Sequence, residues 1–299
     1  MLDFHPLTLD DREKYLPYLQ RPDRQGCEYN FVNLYLWGRQ KALLHQGNLA
    51  FFSQFDRKTV YPFPIGQDIK PTLDAIIQDA AERGIPCRLS GVTEPDRQLL
   101  EGLYPGKFRF HFDRNSYDYI YAIEDLAFLK GRKYQRKRNH INRFTQTTEY
   151  SVMPLEQVSV EILADLAARW YEKRSREDPT ADTLMEQAAL RKALRHWQQL
   201  GMEGMVLTVQ GEPVAMTLGS FINTDTFDVG FEKAVLEEAY PVINWEFSRY
   251  LHEKYPALLW LNREEDMGLE GLRKAKLSYN PHHLVEKCWA CLLEDCNEY

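Results

Sequence analysis

The stretch DLAFLKGRKYQRKRNHINRF, residues 125–144, lies between the two halves of this sequence and differs from both in charge. The whole chain has 37 basic and 44 acidic residues, whereas positions 130–143 carry seven cations and no acid. The rest of the chain therefore has 30 basic against 44 acidic residues. The concentrated cations are Lys130, Arg132, Lys133, Arg136, Lys137, Arg138 and Arg143.

The spacing of the apolar residues in this stretch predicts a helix over 130–144. Tyr134, Ile141 and Phe144 fall close to one helical face and leave the cations on the others. One interpretation is a solvated helix face. Seven cations without interleaved acids repel one another, however, which favours an anionic partner. A phosphate or polyphosphate fits better than a long nucleic-acid tract, because the patch is only about four turns long. The candidate binding residues are Arg132, Arg136, Lys137, Arg138 and Asn139.

Length and composition favour two globular domains. The 299 residues are long for one core, and the hydrophobic and charged fractions of 44% and 27% are ordinary. No apolar run approaches the roughly 20 residues of a membrane span, and the N-terminal residues do not resemble a signal peptide. We therefore expect a cytoplasmic protein without a transmembrane segment.

The five cysteines are an odd number, which together with the missing signal predicts reduced thiols. Cys288, Cys291 and Cys296 lie near His282 and His283, so a zinc site is one interpretation. A second Cys-x-x-Cys is missing, and the surrounding residues resemble a buried strand in which cysteine is a small apolar residue. We favour the strand and predict no metal.

The predicted order of elements in the first half is β-α-α-β-β-β-α-β-α-β-β, and the same order starts again after the basic stretch. Such an order indicates a mixed, mostly antiparallel sheet flanked by helices, repeated twice. The prediction is an α/β (α+β) fold with a first domain over 1–124. The second domain, over 125–299, begins with the basic helix 130–144.

Three stretches give the chain a resemblance to a known family. They are FVNLYLW (31–37), LKGRKYQRKRNHINRF (129–144) and LNREEDMGLEGLRKAKLSYNP (261–281). In these residues the chain resembles the C-terminal domain of bacterial phosphatidylglycerol lysyltransferases, relatives of the Fem-type peptidyltransferases. The element order is also that of GCN5-related N-acetyltransferases. The resemblance implies tandem acetyltransferase-like domains, with an acyl donor in a cleft where the fourth and fifth strands splay apart.

In the second half this cleft would lie between strands near 226–231 and 257–261. Glu264, Glu265 and Asp266 follow the second of these strands, and one of them could deprotonate an amine nucleophile. Alternatively, these acids cap the helix that begins near residue 268. The remaining candidates for substrate or phosphate binding are Asn262, Arg263, Arg273 and Lys276, although Arg273 and Lys276 could simply pair with nearby acids.

The loop before the following helix lacks the glycines with which conventional acetyltransferases hold coenzyme A. It has the sequence LEEAYPVINWE, residues 236–246. By resemblance, the expected donor is aminoacyl-tRNA, bound through its acceptor end, with an unknown acceptor and peripheral membrane contact as a further expectation. Two alternatives stay open: a coenzyme A-dependent N-acyltransferase with an atypical phosphate site, and a non-catalytic protein that binds a phosphorylated ligand. For any of them, the basic helix should lie within reach of residues 262–276.

Overall fold

A computed structural model describes residues 1–55, 58–178 and 183–295, and its contacts divide the chain into two compact units. The first unit contains residues 1–118, residues 265–270 and the C-terminal segment from Leu284. The second contains residues 119–264 and 271–283.

The first unit is built on a seven-stranded sheet in the order β1-β2-β3-β4-β5-β14-β6. Its β4–β5 pair is parallel, and its other described pairings are antiparallel. The strands are β1 (His5–Pro6), β2 (Gln40–His45), β3 (Asn48–Phe55), β4 (Lys58–Pro62), β5 (Arg88–Val92), β6 (Phe108–Phe112) and β14 (Cys288–Leu292).

Four helices accompany this sheet: α1 (Asp11–Leu19), α2 (Phe31–Trp37), α3 (Lys70–Arg83) and α4 (Glu94–Leu103). Helix α3 buries Leu73, Ile76 and Ala80 in the core formed with β3, β4 and β5. Helix α4 begins with a capping box, in which Thr93 and Asp96 satisfy each other's backbone groups. The local sequence therefore defines where α4 begins.

The second unit has its own seven-stranded sheet, in the order β13-β7-β12-β11-β10-β9-β8. Strands β11 and β12 are parallel. The strands are β7 (Asp118–Ala122), β8 (Tyr150–Pro154), β9 (Glu203–Val209), β10 (Glu212–Phe221), β11 (Thr226–Ala234), β12 (Trp260–Asn262) and β13 (His283–Val285). The helices are α5 (Ile123–Phe128), α6 (Gln135–Thr147), α7 (Val160–Glu177), α8 (Leu184–Leu200), α9 (Ala239–Lys254) and α10 (Glu270–Leu277).

The basic stretch folds as a broken helix. Leu129 and Gly131 have positive φ angles of 48° and 86°, so α5 ends before them and α6 begins only at Gln135. The predicted apolar face is confirmed, because Tyr134, Ile141 and Phe144 are buried against residues of α9. The cations of α6 lie on its other sides.

The two units do not divide the chain at the residues predicted from the sequence, 1–124 and 125–299. Strand β7 pairs with β12 in the second sheet, and β14 inserts between β5 and β6 in the first. Each sheet thus receives a strand from the other half of the sequence. Strand pairing depends on contacts distant in sequence, which element order alone does not reveal.

The cysteines differ in part from the prediction. Cys27, Cys87 and Cys288 are free and buried, as expected for apolar core residues. Cys291 is disulfide-bonded, so the prediction of reduced thiols is wrong for this residue. Cys296 lies outside the described residues.

Candidate functional site

The second sheet opens between its two parallel strands. Strand β12 pairs with only the first three residues of β11, Thr226, Phe227 and Asp228. The rest of β11 remains paired with β10 as far as Ala234. The predicted splay between the fourth and fifth strands is therefore present, with the C-terminal half of β11 forming one side.

Glu232 lies on the half of β11 that does not pair with β12, and two side chains form hydrogen bonds with its carboxylate. Arg263, the residue after β12, donates from Nη2 to Glu232 Oε1 over 2.9 Å. Asn244 of α9 donates to Glu232 Oε2 over 3.2 Å. The side chains of Arg263 and Glu232 are 13% and 14% exposed, so this ion pair is largely removed from water. This ion pair joins β11 to the residue that follows β12, across the opening between the two strands.

Arg263 keeps unused hydrogen-bonding capacity at this position. Its Nη1 atom is buried and has no acceptor among the described residues. An unsatisfied donor on a buried guanidinium costs free energy, which an oxygen of a bound ligand would recover.

Lys137 and Arg263 lie against the same aromatic ring. The Lys137 Nζ is 3.7 Å from the Tyr279 ring centroid, and the Arg263 guanidinium is 5.1 Å from it. Burial and the charge of Arg263 lower the pKa of Lys137 to about 8, against a smaller opposing effect of Glu232. The expectation that the basic helix lies within reach of residues 262–276 is thus confirmed for this pair.

A cavity of about 460 Å³ lies beside Lys137. All its described charged lining is basic, and it reaches the first turn of α9 at Pro241. Lys133 also forms an ion pair with Asp125 over 3.0 Å. The cavity is therefore suited to an anion with several oxygens. Its described lining is Lys133, Arg136, Lys137, His140, Pro241, Ser278 and Asn280.

The other predicted residues of the basic helix have different positions. Arg138 donates to the carbonyl oxygens of Leu129 and Gly131, and so stabilises the break before α6. Arg132 and Asn139 are exposed and are not among the described residues that line the cavity. Their predicted role in binding stays a prediction.

The turn after β12 is stabilised by two predicted site residues. Asn262 Oδ1 accepts a hydrogen bond of 2.6 Å from the backbone of Glu264, whose φ angle is 56°. Buried Lys276 donates to the carbonyl oxygens of Arg263 and Glu264, the latter over 3.0 Å. These contacts fix the direction in which Arg263 leaves the strand. Arg273 is half-buried on α10.

The three predicted catalytic carboxylates belong to different units. Glu264 is part of the second unit, where its charge counteracts the lowering of the Lys233 pKa by burial. Glu265 and Asp266 belong to the first unit. Asp266 is buried and accepts from the backbone of Gly268 over 2.9 Å, two residues before α10 begins. A catalytic role for any of the three stays a prediction.

The first unit contains a cluster with the chemistry of metal ligands. One ligand atom each of Cys27, Asp118 and Glu265 lies within 4.8 Å of the others. The Lys287 ammonium donates to Asp118 Oδ1 over 2.8 Å and so already supplies a cation there. We therefore propose no metal at this cluster, which contains none of the residues considered for zinc from the sequence.

Several residues of the site were not predicted from the sequence. Glu232 occurs in a segment that resembles an ordinary strand, and Tyr279 lies in the stretch 261–281 without a predicted role. Only the fold brings the two residues to Arg263. Lys133 and His140 lie within the basic stretch but were not selected. Helical spacing alone could have grouped Lys133, Arg136, Lys137 and His140, which fall at positions i, i+3, i+4 and i+7.

Two sheets of this kind, each with one parallel pair while the other pairings of stated direction are antiparallel, form a tandem acetyltransferase-like fold. The chain belongs to the family of phosphatidylglycerol lysyltransferase C-terminal domains, whose model matches residues 20–291. No curated protein sequence matches the chain significantly. The family and the fold together support a transferase of the aminoacyl or acyl kind.

Three solved structures show the extent of the similarity. A conserved protein of unknown function from Bacteroides thetaiotaomicron is 39% identical with a TM-score of 0.92, over 98% of this chain and 100% of that one. L-PGS from Bacillus licheniformis has a TM-score of 0.70 at 15% identity, over 100% and 95% of the two chains. FemX has a TM-score of 0.59 at 12% identity, over 98% of each chain. The last two show a shared fold.

No helix in the described part of the chain is both long and apolar enough to span a membrane.

Proposed function

We propose that this protein is an aminoacyl- or acyltransferase of the phosphatidylglycerol lysyltransferase and Fem type. Its reaction would take place at the splay between β11 and β12, with the phosphates of the donor in the basic cavity. The observation that carries the proposal is the contact of Lys137, a cavity residue, with the same ring as Arg263, which closes the splay. Phosphate and acyl ends of one donor could therefore bind side by side.

The cavity offers side-chain cations in place of a glycine-rich phosphate loop. Three lysine or arginine residues and His140 line it, close to the first turn of α9. Arginine and lysine bind phosphate oxygens by charge-assisted hydrogen bonds, and a helix N-terminus favours negative charge. This arrangement suits the acceptor end of an aminoacyl-tRNA, in which the aminoacyl ester lies next to phosphodiesters.

The splay supplies groups for the acyl transfer itself. The nucleophile of the acceptor attacks the ester carbonyl, which places negative charge on the carbonyl oxygen. Arg263 Nη1 is a buried donor that could stabilise this charge. Glu232 and Asn244 hold the guanidinium in place.

The test combines charged tRNAs with candidate acceptors, including vesicles of anionic phospholipid, free amino acids and peptides. Wild type is compared with Arg136→Glu/Lys137→Glu and with Arg195→Glu, a charge reversal at an exposed position of α8. We expect labelled product with wild type and Arg195→Glu, and a loss of at least about 100-fold in the double variant. Failure of every donor and acceptor pair with wild type would contradict the proposal.

Two other outcomes would reassign the function. Saturable binding of acetyl-CoA, lost in Arg136→Glu/Lys137→Glu, together with acetyl transfer, would identify a coenzyme A-dependent enzyme. Binding of a phosphorylated ligand without turnover, unchanged in Glu232→Gln and Glu264→Gln, would identify a non-catalytic binding protein.

A further inference from the structure

Lys137 is the residue that the cavity and the splay have in common. It lines the cavity together with Lys133, Arg136 and His140. Its ammonium also lies on the Tyr279 ring, on which Arg263 packs as well. A donor with its phosphate in the cavity and its acyl carbonyl at Arg263 would therefore have the ester oxygen between them near Lys137.

The charged and titratable groups around Lys137 are mostly cationic or neutral. On its own helix and the preceding turn these are Lys133, Arg136 and His140, and across from it are Arg263, Glu232 and Tyr279. Glu232, the acid that acts on Lys137, is already paired with Arg263 and Asn244. Lys137 thus lies in a half-buried position where no described carboxylate forms an ion pair with it.

We propose that Lys137 is the acid–base residue of the transferase, taking the proton from the acceptor nucleophile and giving it to the leaving oxygen of the donor. The inference rests on the proposed function and assigns one of its steps. As the nucleophile attacks, its bond to the acyl carbon forms and its proton passes to the neutral Lys137 amine. The ester C–O bond then breaks, and the Lys137 ammonium protonates the departing ribose oxygen. The amine is neutral again at the end, so no other proton donor is consumed.

A residue that accepts and then donates a proton in this way needs both of its protonation states to be accessible near neutral pH. An ordinary lysine, with a pKa near 10.4, is almost fully protonated there and could not accept the proton. Burial and the Arg263 charge bring the pKa of Lys137 to about 8. An anionic donor in the cavity would raise the pKa again, so the midpoint in the complex should be at about 8 or above.

A first experiment measures the pKa in the free protein and does not depend on activity. Competitive labelling of lysines with acetic anhydride at pH 6.5 to 11, read by mass spectrometry, gives a titration curve for each amine. We expect a midpoint at about 8 for Lys137, below the value of about 10.4 for an unperturbed lysine side chain. A Lys137 midpoint above 10 would overturn the inference.

A second experiment separates proton transfer from charge. Lys137→Arg keeps a cation that cannot lose its proton, so donor binding should stay within about three-fold of wild type. Its single-turnover rate should fall by about 100- to 10,000-fold. The wild-type rate should rise with pH to a midpoint at or above about 8, and this rise should be absent in the variant. Lys173→Arg, the same change on α7, should behave as wild type.

The outcomes distinguish the two proposals. An active wild type with a Lys137→Arg variant that retains more than a third of its rate would overturn the role of Lys137 and leave the proposed function intact. A wild type that transfers nothing from any donor would overturn both.

Discussion

Two lysines, one in each unit, have opposite electrostatic surroundings, although Lys287 is buried and Lys137 is half-buried. In the first unit, Lys287 donates to Asp118 over 2.8 Å and to Glu28 over 3.0 Å. Burial opposes its charge, but the carboxylates prevail and raise its pKa well above the usual value. In the second unit, burial and the charge of Arg263 lower the pKa of Lys137 to about 8.

The difference indicates different uses of the same side chain. A lysine with two carboxylate partners stays charged at all accessible pH values and stabilises the fold around it. A lysine without such a partner contributes little to stability, but it binds anions and exchanges protons near neutral pH. The lowered pKa of Lys137 is therefore typical of a binding or catalytic site. The raised pKa of Lys287 is typical of a structural ion pair.

The largest expected change in the free energy of unfolding comes from removing the charge of Lys287. Lys287→Met removes the ammonium that donates to Asp118, which is 0% exposed, so we expect a loss of about 3–5 kcal/mol in the free energy of unfolding. Denaturation in guanidinium chloride, followed by circular dichroism at pH 7.5, measures this loss. Exposed Lys107→Met is the control and should change stability by less than about 0.5 kcal/mol.

The loss in Lys287→Met should also depend on pH in a defined direction. Burial already raises the pKa of Glu28, and Lys287 opposes that rise. Without the lysine, the buried carboxylates should take up protons at higher pH than in wild type. The difference from wild type should therefore shrink as pH falls from 7.5 to 5. An equal or larger difference at pH 5 would show that packing, and not charge, dominates.

The second effect concerns the ion pair at the splay. Arg263→Met leaves the largely buried Glu232 carboxylate with Asn244 as its described partner, so we expect a loss of about 2–4 kcal/mol in unfolding free energy. The same substitution removes the charge that lowers the pKa of Lys137. The Lys137 midpoint in the labelling titration should move upward from about 8.

A double variant tests the origin of this loss. Glu232→Gln/Arg263→Met has no unpaired buried charge and should recover at least about half of the lost stability. No recovery would indicate that the guanidinium stabilises the unit through its packing on Tyr121 and Tyr279.

The local features of the fold could be predicted, whereas its long-range pairings could not. The apolar face of Tyr134, Ile141 and Phe144 follows from helical periodicity, and the start of α4 follows from its capping residues. The exchange of β7 and β14 between the sheets depends on pairings such as Cys288 with Phe112, which carry no local signal. The family resemblance indicated the tandem arrangement but not which strand completes which sheet.

The same limit applies to the candidate site. The basic stretch was found because its charge composition is local, and Lys137 was among its candidates. The pair of Glu232 and Arg263 joins residues 31 positions apart, which only the parallel pairing of β11 and β12 brings together. Lys276 was predicted to bind phosphate or to pair with a nearby acid, and in the structure its ammonium contacts backbone carbonyls. A sequence shows that a lysine is present but not which acceptor it reaches.

The smallest expected change in the free energy of unfolding is an increase, not a loss. Lys137→Met should stabilise the protein at pH 7, because it removes an amine that folding places beside Arg263. The shift of the pKa to about 8 corresponds to about 3 kcal/mol, which solvent around a half-buried group reduces to about 1 kcal/mol. Below pH 8, Lys137 is protonated in both the folded and the unfolded wild-type protein, and the full loss of stability from its charge is present. Between pH 8 and about 10.4 the unfolded chain binds more protons, so the cost fades and the advantage of the variant should disappear.

Thermal or denaturant unfolding at pH 7 and pH 10 measures this crossover. Lys133→Met, which breaks an exposed ion pair with Asp125, is the matched control and should change stability by less than about 0.5 kcal/mol at either pH. A destabilised Lys137→Met protein at pH 7 would show that the contact with Tyr279 outweighs the repulsion by Arg263. Lys137 would then resemble Lys287, a lysine whose surroundings satisfy its charge, and the electrostatic reason for assigning it a proton-transfer role would be lost.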